Sequence, residues 1–117
     1  MLNALSFDVE DYFQVGAFAR CVPVSDWEKY ESRVENNTRR LLQVLASQRV
    51  PVKATFLVLG WVAERCPNLV SEIASDGHEI ASHGYGHQLV YQLTEDEFRN
   101  DVRKTRTLLR AQSGQEI

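Results

Sequence analysis

Cysteine is scarce in this 117-residue chain: Cys21 and Cys66 are too few and too widely spaced for a disulfide framework or a CxxC metal site. Two free or buried thiols in a reducing cytoplasm is the reading that fits. Long hydrophobic runs are also missing, and none approaches the ~20 residues of a membrane-spanning helix. The start Met1-Leu2-Asn3-Ala4-Leu5 passes straight into Ser6, without the basic residues and apolar stretch of a secretory signal. Nor is there an excess of positive charge. Thirteen Lys and Arg against sixteen Asp and Glu leave a formal net charge of −3, which provides no electrostatic footprint for nucleic acid or an anionic membrane. No repeat, linker or low-complexity stretch interrupts the chain. What remains is an ordinary globular balance, 44% hydrophobic and 25% charged, sized for one domain and expected in the cytoplasm.

Three short apolar stretches alternate with amphipathic ones. Leu2 to Asp8 reads as a strand ending in the carboxylates Asp8, Glu10 and Asp11. Tyr12 to Tyr30, with aromatics scattered among Gly16, Pro23 and Ser25, reads as a long loop with one short helix. Val34, Thr38, Leu41, Leu42 and Leu45 lie on one face of a 3.6-residue period, and Pro51 stops that helix. Lys53 to Leu59 is nearly all apolar, the pattern of a strand buried on both faces. Pro67 suits the first turn of a helix presenting Leu69, Val70, Ile73 and Ala74 and ending at Asp76-Gly77. His78 to His83 is a third strand. Thr94 and Glu97 form a capping box for a last helix with Phe98, Val102, Thr105 and Leu109 facing the core, ending at Ser113-Gly114. The alternation predicts an α/β fold with a parallel sheet of three β/α units. Three units make an arc of a β/α barrel rather than a closed one, and the chain reads as stopping where a fourth strand would begin.

Two clusters fall at the carboxyl ends of predicted strands, the edge where parallel α/β folds build their sites. The first is Ser6-Phe7-Asp8-Val9-Glu10-Asp11, in which Asp8 and Glu10 share a side of an extended backbone. The second is His83-Gly84-Tyr85-Gly86-His87, whose glycines suit a tight turn folding the second imidazole back towards the first. Taken singly, an HxxxH pair is more often two surface histidines, and a carboxylate cluster more often a solvated loop or helix cap. Their joint placement on one edge favours a divalent metal held by two imidazoles and one carboxylate, with positions open for water and substrate. His78, the third histidine, opens a strand and reads as structural.

The order strand-Asp-x-Glu-Asp, then KATFLVLG (53–60), then GHEIASHGYGH (77–87) resembles the polysaccharide deacetylase family, carbohydrate esterase family four. The likeness runs from residue 5 to about 110, and SFDVEDYFQV resembles the branch encoded beside bacterial exopolysaccharide export genes. The resemblance implies a deformed (β/α) barrel and metal-dependent removal of N-acetyl groups from amino sugars of a polysaccharide or oligosaccharide. It puts Asp8 in the place of the general base, and His83 and His87 in the places of metal ligands, with zinc as the expected ion. The third ligand falls on Glu10, with Asp11 as the alternative, because the family's adjacent aspartates are here interrupted by Val9. Gly84 stands where most members carry Ser or Thr. The acid for the leaving amine and the arginine that braces the base belong to later family motifs that this sequence lacks. Residues 1–117 are therefore expected to be the N-terminal, metal-binding portion of a catalytic domain, inactive alone and pairing as a two-fold dimer through open sheet edges. The other reading is a non-catalytic fragment that folds or oligomerises and binds metal without turnover.

Overall fold

The computed structural model describes residues 3–50 and 52–117, so the expectations for Leu2 and Pro51 lie outside the described residues. In chain order the elements are β1 (Ser6–Val9), α1 (Val34–Ala46), β2 (Thr55–Val58), α2 (Gly60–Arg65), α3 (Pro67–Ser75), β3 (Glu79–Ser82) and α4 (Glu95–Ser113). The strands form one parallel sheet in the order β1-β2-β3, with Asp8 opposite Leu57 and Leu57 opposite Ala81. The α/β class with a parallel three-stranded sheet is as the alternation predicts.

Local sequence explains most boundaries. Pro67 takes the first helical position of α3, where a missing N–H costs nothing. At the start of α4, the Glu97 N–H donates to Thr94 Oγ1 at 3.3 Å and the Thr94 N–H donates to Glu97 Oε2 at 2.8 Å, the reciprocal capping box. The α1 stripe buries Val34, Thr38, Leu42 and Leu45, and α3 buries Leu69, Val70 and Ile73. These side chains meet Phe56, Val58 and Ile80 from the sheet in one core.

Three expectations need correcting. The strand at Lys53–Leu59 is not covered on both faces. Phe56 and Val58 are fully buried, while Thr55 and Leu57 on the other side are half-exposed, as is Ala81 beside Leu57. Apolar composition alone does not tell a strand covered twice from one covered once. Phe98 and Val102 were expected in the core, yet each is 40% exposed, whereas Thr105 and Leu109 are fully buried. The side chains that α4 buries fully, Thr105 and Leu109, lie in its C-terminal half. Finally, the segment from Tyr12 to Lys29 holds three short 3-10 turns rather than one helix. Its Phe13 and Trp27 pack into the core against Trp61.

The outer edge of β3 has an unusual partner. The Ile80 N–H donates to Gln115 Oε1 at 2.9 Å and Gln115 Nε2 donates to the His78 carbonyl at 2.8 Å. One side-chain amide thus reproduces the pair of bonds that a residue of a neighbouring parallel strand would make across Glu79.

His78 is structural, as its position suggested. Its Nδ1 accepts from the Ala54 N–H at 3.2 Å, and its ring meets Phe56 edge to face at 5.0 Å between centroids. Burial, aided by Lys53, holds its pKa below the ordinary 6.5. The unfolded chain therefore binds this proton at a higher pH than the folded chain does. The stability linked to neutral His78 is complete above pH 6.5 and is lost as the pH falls below it. Denaturant titrations of wild type and His78→Gln between pH 7.5 and 5.5 should show a stability difference that shrinks towards the acid end. A difference constant with pH would contradict this.

Candidate metal centre

Because the strands are parallel and in register, their carboxyl ends share one edge of the sheet. Phe7, Val9, Phe56, Val58 and Ile80 face the helices. Ser6, Asp8, Thr55, Leu57, Glu79 and Ala81 alternate onto the open face. Glu10 and His83, just beyond β1 and β3, continue that open face at the exit edge. His83 is held there by its N–H, which donates to the Val58 carbonyl at 3.1 Å.

His87 completes a group of three. One ligand atom each from Glu10, His83 and His87 can be chosen so that all lie within 4.8 Å of one another. Glu10 Oε2 is 3.2 Å from His87 Nε2 and 3.7 Å from His83 Nε2, and the two imidazole centroids are 5.0 Å apart. Glu10 Oε2 and His83 Nε2 are both buried and have no hydrogen-bond partner among the described residues. Buried polar atoms are rarely left so. Two imidazole nitrogens and a carboxylate oxygen, convergent and otherwise unpaired, fit a divalent cation with open coordination positions.

Asp8 and Asp11 stand apart from that group. Asp8 is exposed on the open face of β1, two residues before Glu10, and makes no ion pair among the described residues. Asp11 is 2% exposed, and its oxygens accept from Ser32 Oγ at 2.7 Å, the Arg33 N–H at 3.0 Å and the Val34 N–H at 3.3 Å. It is committed to the N-terminus of α1, so as the alternative to Glu10 it is turned to other work.

The loop between the two histidines bends through left-handed backbone, with φ of +72° at Gly84 and +52° at His87. A Cβ on Gly84 would sit 3.1 Å from Asp101 Oδ1 besides occupying a region closed to most side chains. That is a local reason for glycine where the family usually has a hydroxyl residue. Two supporting residues escaped the sequence reading. Asp101 accepts from the Tyr85 N–H at 2.9 Å and the Gly86 N–H at 3.2 Å. Gly60 allows α2 to begin against this loop, since a Cβ there would lie 2.6 Å from Thr105 Oγ1 and 3.1 Å from Tyr85 Cα. Asp101 lies outside the quoted motifs and Gly60 only closes one of them, and the meeting of α2, α4 and the loop is what reveals their part. Beside His87, a cavity of about 390 Å³ opens between the 13–27 and 86–92 segments, with Phe13, Trp27, Gln14, Gln88 and Tyr91 in its walls.

Residues 25–117 match the polysaccharide deacetylase family. A peptidoglycan-N-acetylglucosamine deacetylase of Bacillus cereus is 46% identical over 63 residues, 54% of this chain and 23% of that protein. A chitooligosaccharide deacetylase of Rhizobium leguminosarum bv. trifolii is 35% identical over 68 residues, 58% of this chain and 31% of that protein. Among solved structures, a family-four carbohydrate esterase pseudoenzyme from Bacillus anthracis superimposes with a TM-score of 0.71 at 20% identity, covering 97% of this chain and 32% of that one. The likeness agrees with a partial β/α barrel, and the chain spans less than a third of the length of each of these relatives. With a match over residues 25–117, the chain belongs to the polysaccharide deacetylase family.

Proposed function

We propose that this chain is the N-terminal, metal-binding portion, residues 1–117, of the catalytic domain of an N-deacetylase acting on amino sugars of a polysaccharide. The observation that carries the reading is the convergence of Glu10, His83 and His87 at the exit edge of a parallel sheet, with buried ligand atoms left unpaired. The two curated relatives are named for acetamido-sugar polymers or oligomers, which supports the same substrate class. Within that class we assign the chain to the exopolysaccharide branch, on the SFDVEDYFQV stretch.

Glu10, His83 and His87 would hold the ion, with zinc as the proposed occupant. Bound there, a divalent cation supplies Lewis-acid polarisation of an amide carbonyl and acidifies water. Asp8 faces the same side of the sheet as Glu10 and accepts the proton of the attacking water as general base. The leaving amine needs a proton donor that Glu10, His83 and His87 cannot supply while they hold the ion. His78, buried and bonded through Nδ1, is not available for it. By the resemblance to the family, the donor and the arginine beside the base are assigned to segments other than these 117 residues.

No helix among the described residues is long and apolar enough to cross a membrane. Cytoplasmic residence, in keeping with the free thiols of Cys21 and Cys66, is part of the proposal.

Calorimetric titration of the dialysed chain with zinc should give one site, and His83→Ala should lose it. Unchanged binding in His83→Ala would remove the assignment. In a full-length parent enzyme, Asp8→Asn should abolish acetate release, a loss on the order of 10²-fold or more, with metal content unchanged. Loss of metal in Asp8→Asn would instead make Asp8 a ligand. The half-exposed Leu57 and Ala81 and the free edge of β1 predict a two-fold dimer of the 117-residue chain at micromolar concentration. Sedimentation velocity checks it, and a monomer with a cooperative melt would refute it.

A further inference from the structure

The two imidazoles of the candidate centre are joined by three residues whose backbone follows no regular pattern. Gly84 and His87 both have positive φ, and for His87, which carries a Cβ, that conformation is costly unless its surroundings enforce it. Apart from the Gly84 N–H, which donates to Ser82 Oγ at 3.3 Å, the bonded peptide groups of residues 84–86 are bonded to helices. The Gly60 and Trp61 N–H groups, the first of α2, donate to the carbonyls of Gly84 at 2.8 Å and Tyr85 at 3.1 Å. On the amide side a single carboxylate takes both successive donors, Tyr85 N–H on Asp101 Oδ1 and Gly86 N–H on Asp101 Oδ2. α4 also grips the Tyr85 ring, with Lys104 Nζ 3.5 Å from its centroid, while the Tyr85 hydroxyl donates to Glu64 of α2 at 2.6 Å. The loop is thus held by the Gly84 and Tyr85 carbonyls from α2 and by the Tyr85 and Gly86 amides from α4.

We propose that Asp101 is a positioning residue for the histidine pair: its bidentate hold on Tyr85 and Gly86 sets the loop that fixes the spacing of His83 and His87. The proposal rests on the reading of those two residues with Glu10 as a metal centre. Asp101 touches neither the ion nor substrate. It acts as outer-shell partners of ligands do, whose loss usually weakens metal binding about 10- to 100-fold. An asparagine keeps the shape but offers one acceptor and one donor, so one of the two amides would face an N–H.

The test compares the 117-residue chain with Asp101→Asn and Asp101→Glu by zinc calorimetry and by NMR of the metal-free proteins. Asp101→Asn should bind zinc about 10- to 100-fold more weakly. The amides of Tyr85 and Gly86 should exchange faster, and the nuclear Overhauser contacts between the two imidazoles should be lost, with the core melt still cooperative. Asp101→Glu, which keeps the charge with a longer reach, should recover part of the affinity, and it carries the comparison should the asparagine variant not fold. Faster exchange at Tyr85 and Gly86 with unchanged imidazole contacts and zinc affinity within about twofold would overturn the proposal, since Asp101 would then serve the loop alone. If wild type takes no zinc, the metal reading falls, and the imidazole contacts of the metal-free variants still decide the role of Asp101.

Discussion

Backbone hydrogen bonds join β1 to β2 and β2 to β3 with Asp8 opposite Leu57 and Leu57 opposite Ala81, and this single register decides where Glu10 and His83 emerge. A slip of one residue in β1 would turn Asp8 and Glu10 onto the helix-covered face and send Phe7 and Val9 into solvent. The apolar layer of Val9, Phe56, Val58 and Ile80 prevents that, because each is at most 2% exposed and has no comparable place on the other side. Core packing and site geometry are therefore one constraint. Where the sheet ends, the Leu59 N–H on the Val9 carbonyl and the His83 N–H on the Val58 carbonyl carry the same register one step into the loops.

Glu10 and Asp11 are adjacent carboxylates with different duties, and the difference has a physical cause. The residue before α1, Arg33, offers no side-chain cap, so the first N–H groups of that helix lack a local acceptor. Asp11 supplies one across more than twenty residues of chain, where a negative charge also suits the positive end of the helix. Gln14 returns the favour by accepting from the Asp11 N–H at 2.7 Å. That anchor closes the long 12–30 segment against the exit of β1 and leaves Glu10 as the acidic side chain facing the imidazoles.

Much of this was legible in the chain because it depends on neighbours in sequence. Pro67, the Thr94–Glu97 box and the α1 stripe are local signals, and the structure uses them as written. The grouping of Glu10 with His83 and His87 was also approachable, since strand ends in parallel sheets share an edge. What stayed hidden depends on partners distant in sequence. Spacing put Phe98 and Val102 on the same stripe as Thr105 and Leu109, but a helix face is buried only as far as its support extends. The placing of Asp11 away from the imidazoles turned on Ser32 to Val34, and the reason for Gly84 turned on Asp101. An alternating pattern names a face without naming what lies against it.

The two exposed aspects of the sheet differ in how they can be satisfied. An edge needs hydrogen bonds at fixed points, and on β3 one glutamine side chain meets that need between His78 and Ile80. A face needs area. The Thr55 hydroxyl donates to Glu79 and quiets two polar groups there, but Leu57 and Ala81 beside them require apolar cover that no single side chain provides. Hydrophobic gain scales with area, whereas the net gain of a hydrogen bond is about 1 kcal/mol whichever group supplies it. By that measure the open face has more to gain from a partner than the β3 edge has. That face also carries Asp8 and leads to Glu10 and His83, so whatever covers it forms the opposite wall of the candidate centre.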